Sequence, residues 1–209
     1  MFRLICFLLG YGIGCIQFAS LVSKSHGVDI REHGSGNPGA TNTLRVLGKT
    51  AGFTVLGLDA SKSVLAYIIA SLIFGGVGTF VWWGDVGLGI LPGLYAGFGA
   101  VVGHVYPVQK NFSGGKGVSC IAGIILAINF FMSVIIFAMG VVILMLTKYA
   151  SLANLSVVLA LPIALLLLGH PLEAVAVSSL IVALCFYKHK NNIKALLNGT
   201  ERAFKWSKK

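Results

Sequence analysis

The chain has 209 residues, 56% of them hydrophobic and only 11% charged, with a formal net charge of +10. A soluble domain carries about 25% charged residues and needs polar side chains to cover its surface, so this composition argues against one. The apolar residues run continuously and do not alternate, which argues against a β-barrel. What remains is a bundle of membrane-spanning helices, which satisfy their own backbone groups.

Seven spans are expected, at 1–23, 51–75, 86–106, 118–131, 133–147, 152–168 and 171–187. The first has only Arg3 as a charge and runs through Gly10 to Ala19, too long for a cleavable signal core. Gly75-Gly76, Pro107, Gly114-Gly115 and Gly169-His170-Pro171 mark breaks. The fourth and fifth spans are short, and their division fixes the parity. With seven spans, the loops at 24–50, 107–117 and 148–151 and the tail from 188 share one face. That face then holds Lys24, Arg31, Arg45, Lys49, Lys110, Lys116, Lys148 and the basic tail with Lys205, against Asp85 and Glu173 on the other. Positive loops stay cytoplasmic, so the N-terminus is expected outside and the C-terminus inside. Merging the two short spans would split the positive charge between the faces. The whole chain, 1–209, reads as one integral-membrane domain. Its basic residues sit in membrane-adjacent loops, which speaks for anionic lipid or an anionic substrate and against nucleic acid.

Cys6, Cys15, Cys120 and Cys185 lie at scattered positions in apolar runs. No pair has metal-ligand spacing, and no metal or cofactor is expected.

Four polar segments carry candidate chemistry. The first contains Ser35, Gly36, Asn37, Pro38, Gly39, Ala40, Thr41, Asn42 and Arg45. Glycine lets a backbone approach a ligand, nests of N–H groups bind anions, and arginine offers phosphate a planar fork. The second runs from Gly103-His104 through Pro107 to Ser113-Gly114-Gly115-Lys116-Gly117, directly before an apolar helix. Backbone N–H groups, a helix N-terminus and a lysine meet there. It is not a Walker A loop, because Lys110 stands where the first glycine belongs and Gly117 follows Lys116. The third is the break Lys148-Tyr149-Ala150-Ser151. The fourth holds His189 and Asn192, three residues apart and so on one helical face, then Gly199 and Glu201. Inside the second span Asp59 and Lys62 can pair. They and His104 read as structural support for the site.

Taken together, these segments resemble the bacterial acyl-phosphate-dependent glycerol-3-phosphate acyltransferases across essentially the whole chain. The family's first motif is matched by 35–42 and Arg45. Its second is matched by Gly103-His104, Pro107-Val108, Phe112 and Gly114-Gly115-Lys116-Gly117-Val118. Its third is matched by His189, Asn192-Ile193, Leu196-Leu197, Gly199 and Glu201. Gln109, Ser113, Lys148, Lys188 and Ala195 depart from residues common in the family. The resemblance implies transfer of a fatty acyl group from acyl phosphate to glycerol 3-phosphate at the cytoplasmic face of the inner membrane. It also implies coupling to an enzyme that makes acyl phosphate. His189, Ser151 and Lys116 are then the expected catalytic residues. Ser35, Gly36, Asn37, Gly39, Thr41, Asn42, Arg45, Gly114, Gly115, Asn192 and Glu201 are expected to bind substrate with them. Arg45, Lys116, Ser151, His189 and Asn192 are expected to converge on the glycerol 3-phosphate phosphate, and 35–42 with the Gly114-Gly115 backbone to hold the acyl-phosphate head and the oxyanion. A thioester-dependent acyltransferase with His, four residues, then Asp is excluded, since no histidine has Asp five positions on. A transporter of phosphorylated solutes is the alternative. It would show an internal repeat and midplane breaks, which this sequence lacks.

Overall fold

The computed structural model describes residues 1–75 and 89–204, and among these the regular structure is entirely helical. In chain order the α-helices are α1 (Phe2–Gly14), α2 (Phe18–Ser25), α3 (Ala40–Leu47), α4 (Lys49–Phe74), α5 (Ile90–Val105), α6 (Val118–Ile128), α7 (Phe130–Thr147), α8 (Ala150–Leu167), α9 (Leu172–Lys188) and α10 (Lys190–Leu197). Four stretches are long and apolar enough to cross a bilayer: Phe2–Ser25, Lys49–Phe74, Phe130–Thr147 and Ala150–Leu167. α9 and α10 add a fifth if their 65° bend is counted within one broken span. α5 and α6, with 16 and 11 residues, are shorter than the roughly 20 residues of a full crossing. The chain is a multi-pass membrane protein, all-helical in its described residues. Asp85, the start of the third expected span and Lys205 lie outside the described residues.

Two boundaries differ from expectation. The first span is not one helix, because α1 ends at Gly14 and α2 begins at Phe18. Non-helical backbone at membrane depth needs internal partners, and polar side chains supply them. Lys62 Nζ donates to the Ile16 carbonyl at 2.6 Å, and the amides of Gln17 and Gln109 donate to Cys15 O. The fourth and fifth spans are separate helices, but the break falls at Asn129. That residue is extended (φ −158°), and its side chain accepts from Met132 N–H at 2.9 Å as an N-cap.

Small residues set the packing that places the site. α1 lies against α5 so closely that a Cβ on Gly10 would overlap the Ala96 carbonyl, and one on Gly99 the Phe7 carbonyl. Lipid offers helices no hydrophobic drive to associate, so close backbone approach through glycine and alanine does this work. α6 meets α4 in the same way, with Gly123 on the Ala60 carbonyl. Leu94, Ile121, Ile124, Leu161 and Ile181 fill the interior, while Ile135, Met145, Leu146 and Leu167 stay on the outside.

The two ends of the bundle differ in kind. At one end Arg3 pairs with both oxygens of Glu173, at 2.5 and 2.7 Å, and Tyr95 donates to the same carboxylate at 2.9 Å. This joins the N-terminal portions of α1, α5 and α9. At the other end the polar loops meet.

Candidate active site

The loop between α2 and α3 is held by its own asparagine. Asn42 is 2% exposed. Its Oδ1 accepts from Ser35 N–H at 2.8 Å, and its Nδ2 donates to His33 O at 2.9 Å and Ile30 O at 3.2 Å. An amide has few further bonds to give, so Asn42 shapes the loop from within and is not placed to bind a ligand itself. Gly36 takes a positive φ and donates to His33 O, and Gly39 caps α3. Ser35 is exposed, and Asn37 and Thr41 are partly so. The Gly39 carbonyl accepts from the N–H groups of Asn42 and Thr43, which fixes the first turn of α3 and with it the exposed Arg45.

The second loop follows α5. Here an expectation shifts. Gly114 and Gly115 donate their N–H groups to Val105 O and His104 O, both at 3.1 Å. Those two donors are spent inside the fold and are not offered to an oxyanion. The glycines serve close approach instead: a Cβ on Gly115 would overlap the His104 imidazole, and one on Gly114 the His104 carbonyl. Gly117 opens α6 at φ +88°, a left-handed conformation that glycine adopts at little cost. Arg31 donates to Ser113 O at 3.3 Å, and Pro38 O lies 3.0 Å from the Gly115 Cβ position. The first and second loops are therefore in contact.

The third and fourth segments join on Lys116. Its ammonium donates to Asn192 Oδ1, Asn192 Nδ2 donates to Glu201 at 2.8 Å, and Ser151 Oγ donates to the same Glu201 oxygen at 2.7 Å. The order is forced, since a lysine can only donate and a carboxylate only accept. Burial pulls the Lys116 ammonium below its ordinary value, Glu201 opposes that, and Lys188 and Arg45 push in the same direction as burial. The charge of Arg45 on α3 is thus close enough to repel that of Lys116. Phe204 N–H donates to Lys148 O at 2.6 Å, which ties the tail across the α7–α8 break.

His189 is not on one continuous helix with Asn192. It ends α9 and opens α10, at the bend. It is 2% exposed. Its Nδ1 lies 2.8 Å from the Cys185 carbonyl, an acceptor only, so Nδ1 carries the proton and Nε2 keeps a lone pair. Burial pushes its pKa down to about 4, and the Lys116 charge adds to that. It is a neutral imidazole beside a cation.

Behind the second loop lies a buried ionic cluster. Lys62 Nζ is 2.8 Å from Asp59 Oδ1 and 3.0 Å from His104 Nδ1. All three side chains are 3% exposed or less. Asp59, His104 and Cys120 together offer three donor atoms within 4.8 Å, a grouping able to hold a metal ion. The Lys62 ammonium already lies against two of them and supplies the positive charge itself. Reasoning from sequence missed Gln17 and Gln109. Gln17 donates to His104 O at 3.3 Å, and Gln109 secures the α1–α2 break. A glutamine standing alone in an apolar run was the available signal for the first. The second was visible only as a departure from the family pattern.

Loops from four parts of the chain thus come together in one polar, mostly cationic cluster, with the Glu201 carboxylate bonded into it. The family model described as glycerol-3-phosphate acyltransferase matches residues 4–199. The chain belongs to the glycerol-3-phosphate acyltransferase family. Named members include one from Allorhizobium ampelinum, 40% identical over 92% of this chain and 88% of that protein. Another, from Bacillus cereus, is 39% identical over 97% of this chain and 96% of its own length. Among solved structures, that of PlsY (YgiH), an integral membrane glycerol 3-phosphate acyltransferase in its glycerol 3-phosphate form, aligns with a TM-score of 0.85 and 33% identity, covering 97% of this chain and 96% of that one. Its lysophosphatidic acid form aligns at 0.83, over 97% and 95%.

Proposed function

We propose that this chain carries out the reaction its family is named for, using acyl phosphate as donor. The fatty acyl group passes to the 1-hydroxyl of glycerol 3-phosphate and gives lysophosphatidate and inorganic phosphate, the opening step of phospholipid synthesis. The observation that carries this reading is the network of Lys116, Asn192, Glu201 and Ser151 with Arg45 and His189 around it. Arg45 and Lys116 would hold the glycerol 3-phosphate phosphate. Ser151 and Asn192, oriented by Glu201, would add neutral hydrogen bonds to it. Ser35, Gly36, Asn37, Gly39 and Thr41, with the N-terminal turn of α3, would hold the acyl-phosphate head, since the first N–H groups of a helix lack intrahelical partners and favour anions.

An acyl phosphate is already an activated mixed anhydride. The hydroxyl oxygen bonds to the carbonyl carbon, the carbon–oxygen bond to phosphate breaks, and the hydroxyl proton ends on the departing phosphate. A protein base is then unnecessary, in keeping with a His189 held neutral with a pKa of about 4. Its Nε2 lone pair would accept a hydrogen bond from the attacking hydroxyl and orient it.

The same reading takes the bundle as seven spans with the N-terminus outside, so that the site faces the cytoplasm from the inner membrane. The separation of α6 from α7 at Asn129 supports that parity. A soluble or peripheral enzyme that makes acyl phosphate would feed the site from the same face. Incubating purified protein with acyl phosphate and glycerol 3-phosphate should yield lysophosphatidate and phosphate in equal amounts. Acyl-CoA in place of acyl phosphate should give none, and robust turnover with acyl-CoA would refute the donor.

A further inference from the structure

The buried cluster of Asp59, Lys62 and His104 lies outside the substrate-binding network. Lys62 has three N–H donors, and three acceptors surround it: Asp59 Oδ1 at 2.8 Å, Ile16 O at 2.6 Å and His104 Nδ1 at 3.0 Å. Asp59 Oδ1 is 3.4 Å from His104 Nδ1, farther than either atom is from the Lys62 ammonium between them, and an ammonium cannot accept, so in the contact with Lys62 the Nδ1 offers its lone pair and the ring proton sits on Nε2. Nε2 is the atom against Gly115, where a Cβ would overlap it, and Pro38 O lies 3.0 Å from the same Cβ position. The His104 carbonyl accepts the Gly115 N–H at 3.1 Å. Gly115 is thus gripped from both ends of one residue, directly before Lys116. Gln17 donates to that same carbonyl at 3.3 Å, and Lys62 reaches the carbonyl of the neighbouring Ile16. The α1–α2 break and the phosphate loop therefore share one set of bonds.

From this juxtaposition we infer that His104 is a positioning residue for Lys116. The Lys62 ammonium, anchored by Asp59 and the opened backbone at Ile16, fixes His104 as the Nε2–H tautomer. The Nε2 edge then seats Gly115 against Pro38 and sets the depth at which the Lys116 ammonium enters the site. Lys62 acts as a built-in cation that orders an imidazole, as a metal ion would. The inference rests on the assignment of Lys116 to glycerol 3-phosphate. Lys116→Ala is measured alongside, and an unchanged KM there would remove that assignment without touching the coupling described next.

The test is a double-mutant cycle of His104→Ala and Gly115→Ala, read as KM for glycerol 3-phosphate and kcat separately, with thermal melting in detergent as a control. His104→Ala should raise KM about ten-fold, the scale of a weakened charge-assisted contact, with kcat within about three-fold of wild type. Gly115→Ala should do the same in the wild-type background, because its Cβ meets Nε2. In the His104→Ala background it should add less than about two-fold, since contacting residues are non-additive. Gln at 104 places an amide N–H near the Nε2 position, so His104→Gln should restore KM to within about two-fold of wild type, whereas His104→Asn should not. Independent, multiplicative effects of the two alanines would overturn the inference. So would a loss confined to kcat, or a His104→Gln variant as impaired as His104→Asn. If His104→Ala does not accumulate, the Gln and Asn variants decide the matter in the same way.

Discussion

At the scale of single residues, the proposed site separates groups assigned to meet substrate from groups that hold them. Lys116 is partly buried and already bonded to Asn192 and, through it, to Glu201. Its charge is therefore aimed before any ligand arrives. Lys116→Ala should raise the KM for glycerol 3-phosphate by about 10- to 100-fold, because a hydrogen bond to a charged group is worth roughly 1.5–3 kcal/mol and each 1.4 kcal/mol is about a factor of ten. Lys24→Ala, an exposed cation on α2, should leave that KM unchanged in the same steady-state assay. His189 makes a second prediction, in pH. Its pKa is about 4 in the folded protein against an ordinary 6.5. Below pH 6.5 the unfolded chain binds a proton that the folded protein refuses, so stability falls as pH drops through that window and is insensitive to this group above it. Melting curves in detergent between pH 4 and 7 should show that slope, and His189→Gln should flatten it. A His189→Gln protein with an unchanged slope would assign the dependence to other groups.

At the scale of elements, helix positions were legible because continuous apolar runs of spanning length have few alternatives. The division of α6 from α7 was legible too, though placed late: Asn129 and Phe130 begin the new helix, and hydropathy does not register an N-cap. The break between α1 and α2 was not legible. Residues 15–17, Cys-Ile-Gln, look like span interior, and what opens them is Lys62 from α4, far away in sequence. The roles inside the motifs were the least legible. Asn42 and the Gly114-Gly115 pair stand in segments expected to bind phosphate, yet they spend N–H groups on neighbouring carbonyls. Composition names the residues of a loop but does not say which way its N–H groups point. Packing by small residues yields the prediction at this scale. Gly99→Val would drive a Cβ into the Phe7 carbonyl of α1. Overpacking of that kind costs about 1–3 kcal/mol or more, so the variant should melt earlier. Since α5 carries His104 at its site end, the same variant should also raise the KM for glycerol 3-phosphate. A variant at Ile135, which faces outward from α7, should change neither measurement.

At the scale of the whole molecule, the question is which way the polar end faces. The contacts that gather that end run between Arg31 and Ser113, Lys116 and Asn192, Ser151 and Glu201, and Lys148 and Phe204. They bring the basic loops together at the end opposite the Arg3–Glu173 clamp. Loops rich in lysine and arginine generally stay in the cytoplasm, which is the ground for the proposed orientation. The proposed reaction asks for the same orientation, because phosphorylated solutes do not cross a membrane unaided. Single cysteines test it directly, since the four native cysteines are all buried and should contribute little background. Ser113→Cys lies at the exposed tip of the loop between α5 and α6, and Leu172→Cys at the exposed start of α9, 76% accessible at the far end. In intact cells a membrane-impermeant maleimide should label position 172 and spare position 113. After the membrane is opened, 113 should react as well. Labelling of 113 from outside would invert the protein, place the site away from its cytoplasmic substrates, and remove the orientation together with the direction of substrate supply.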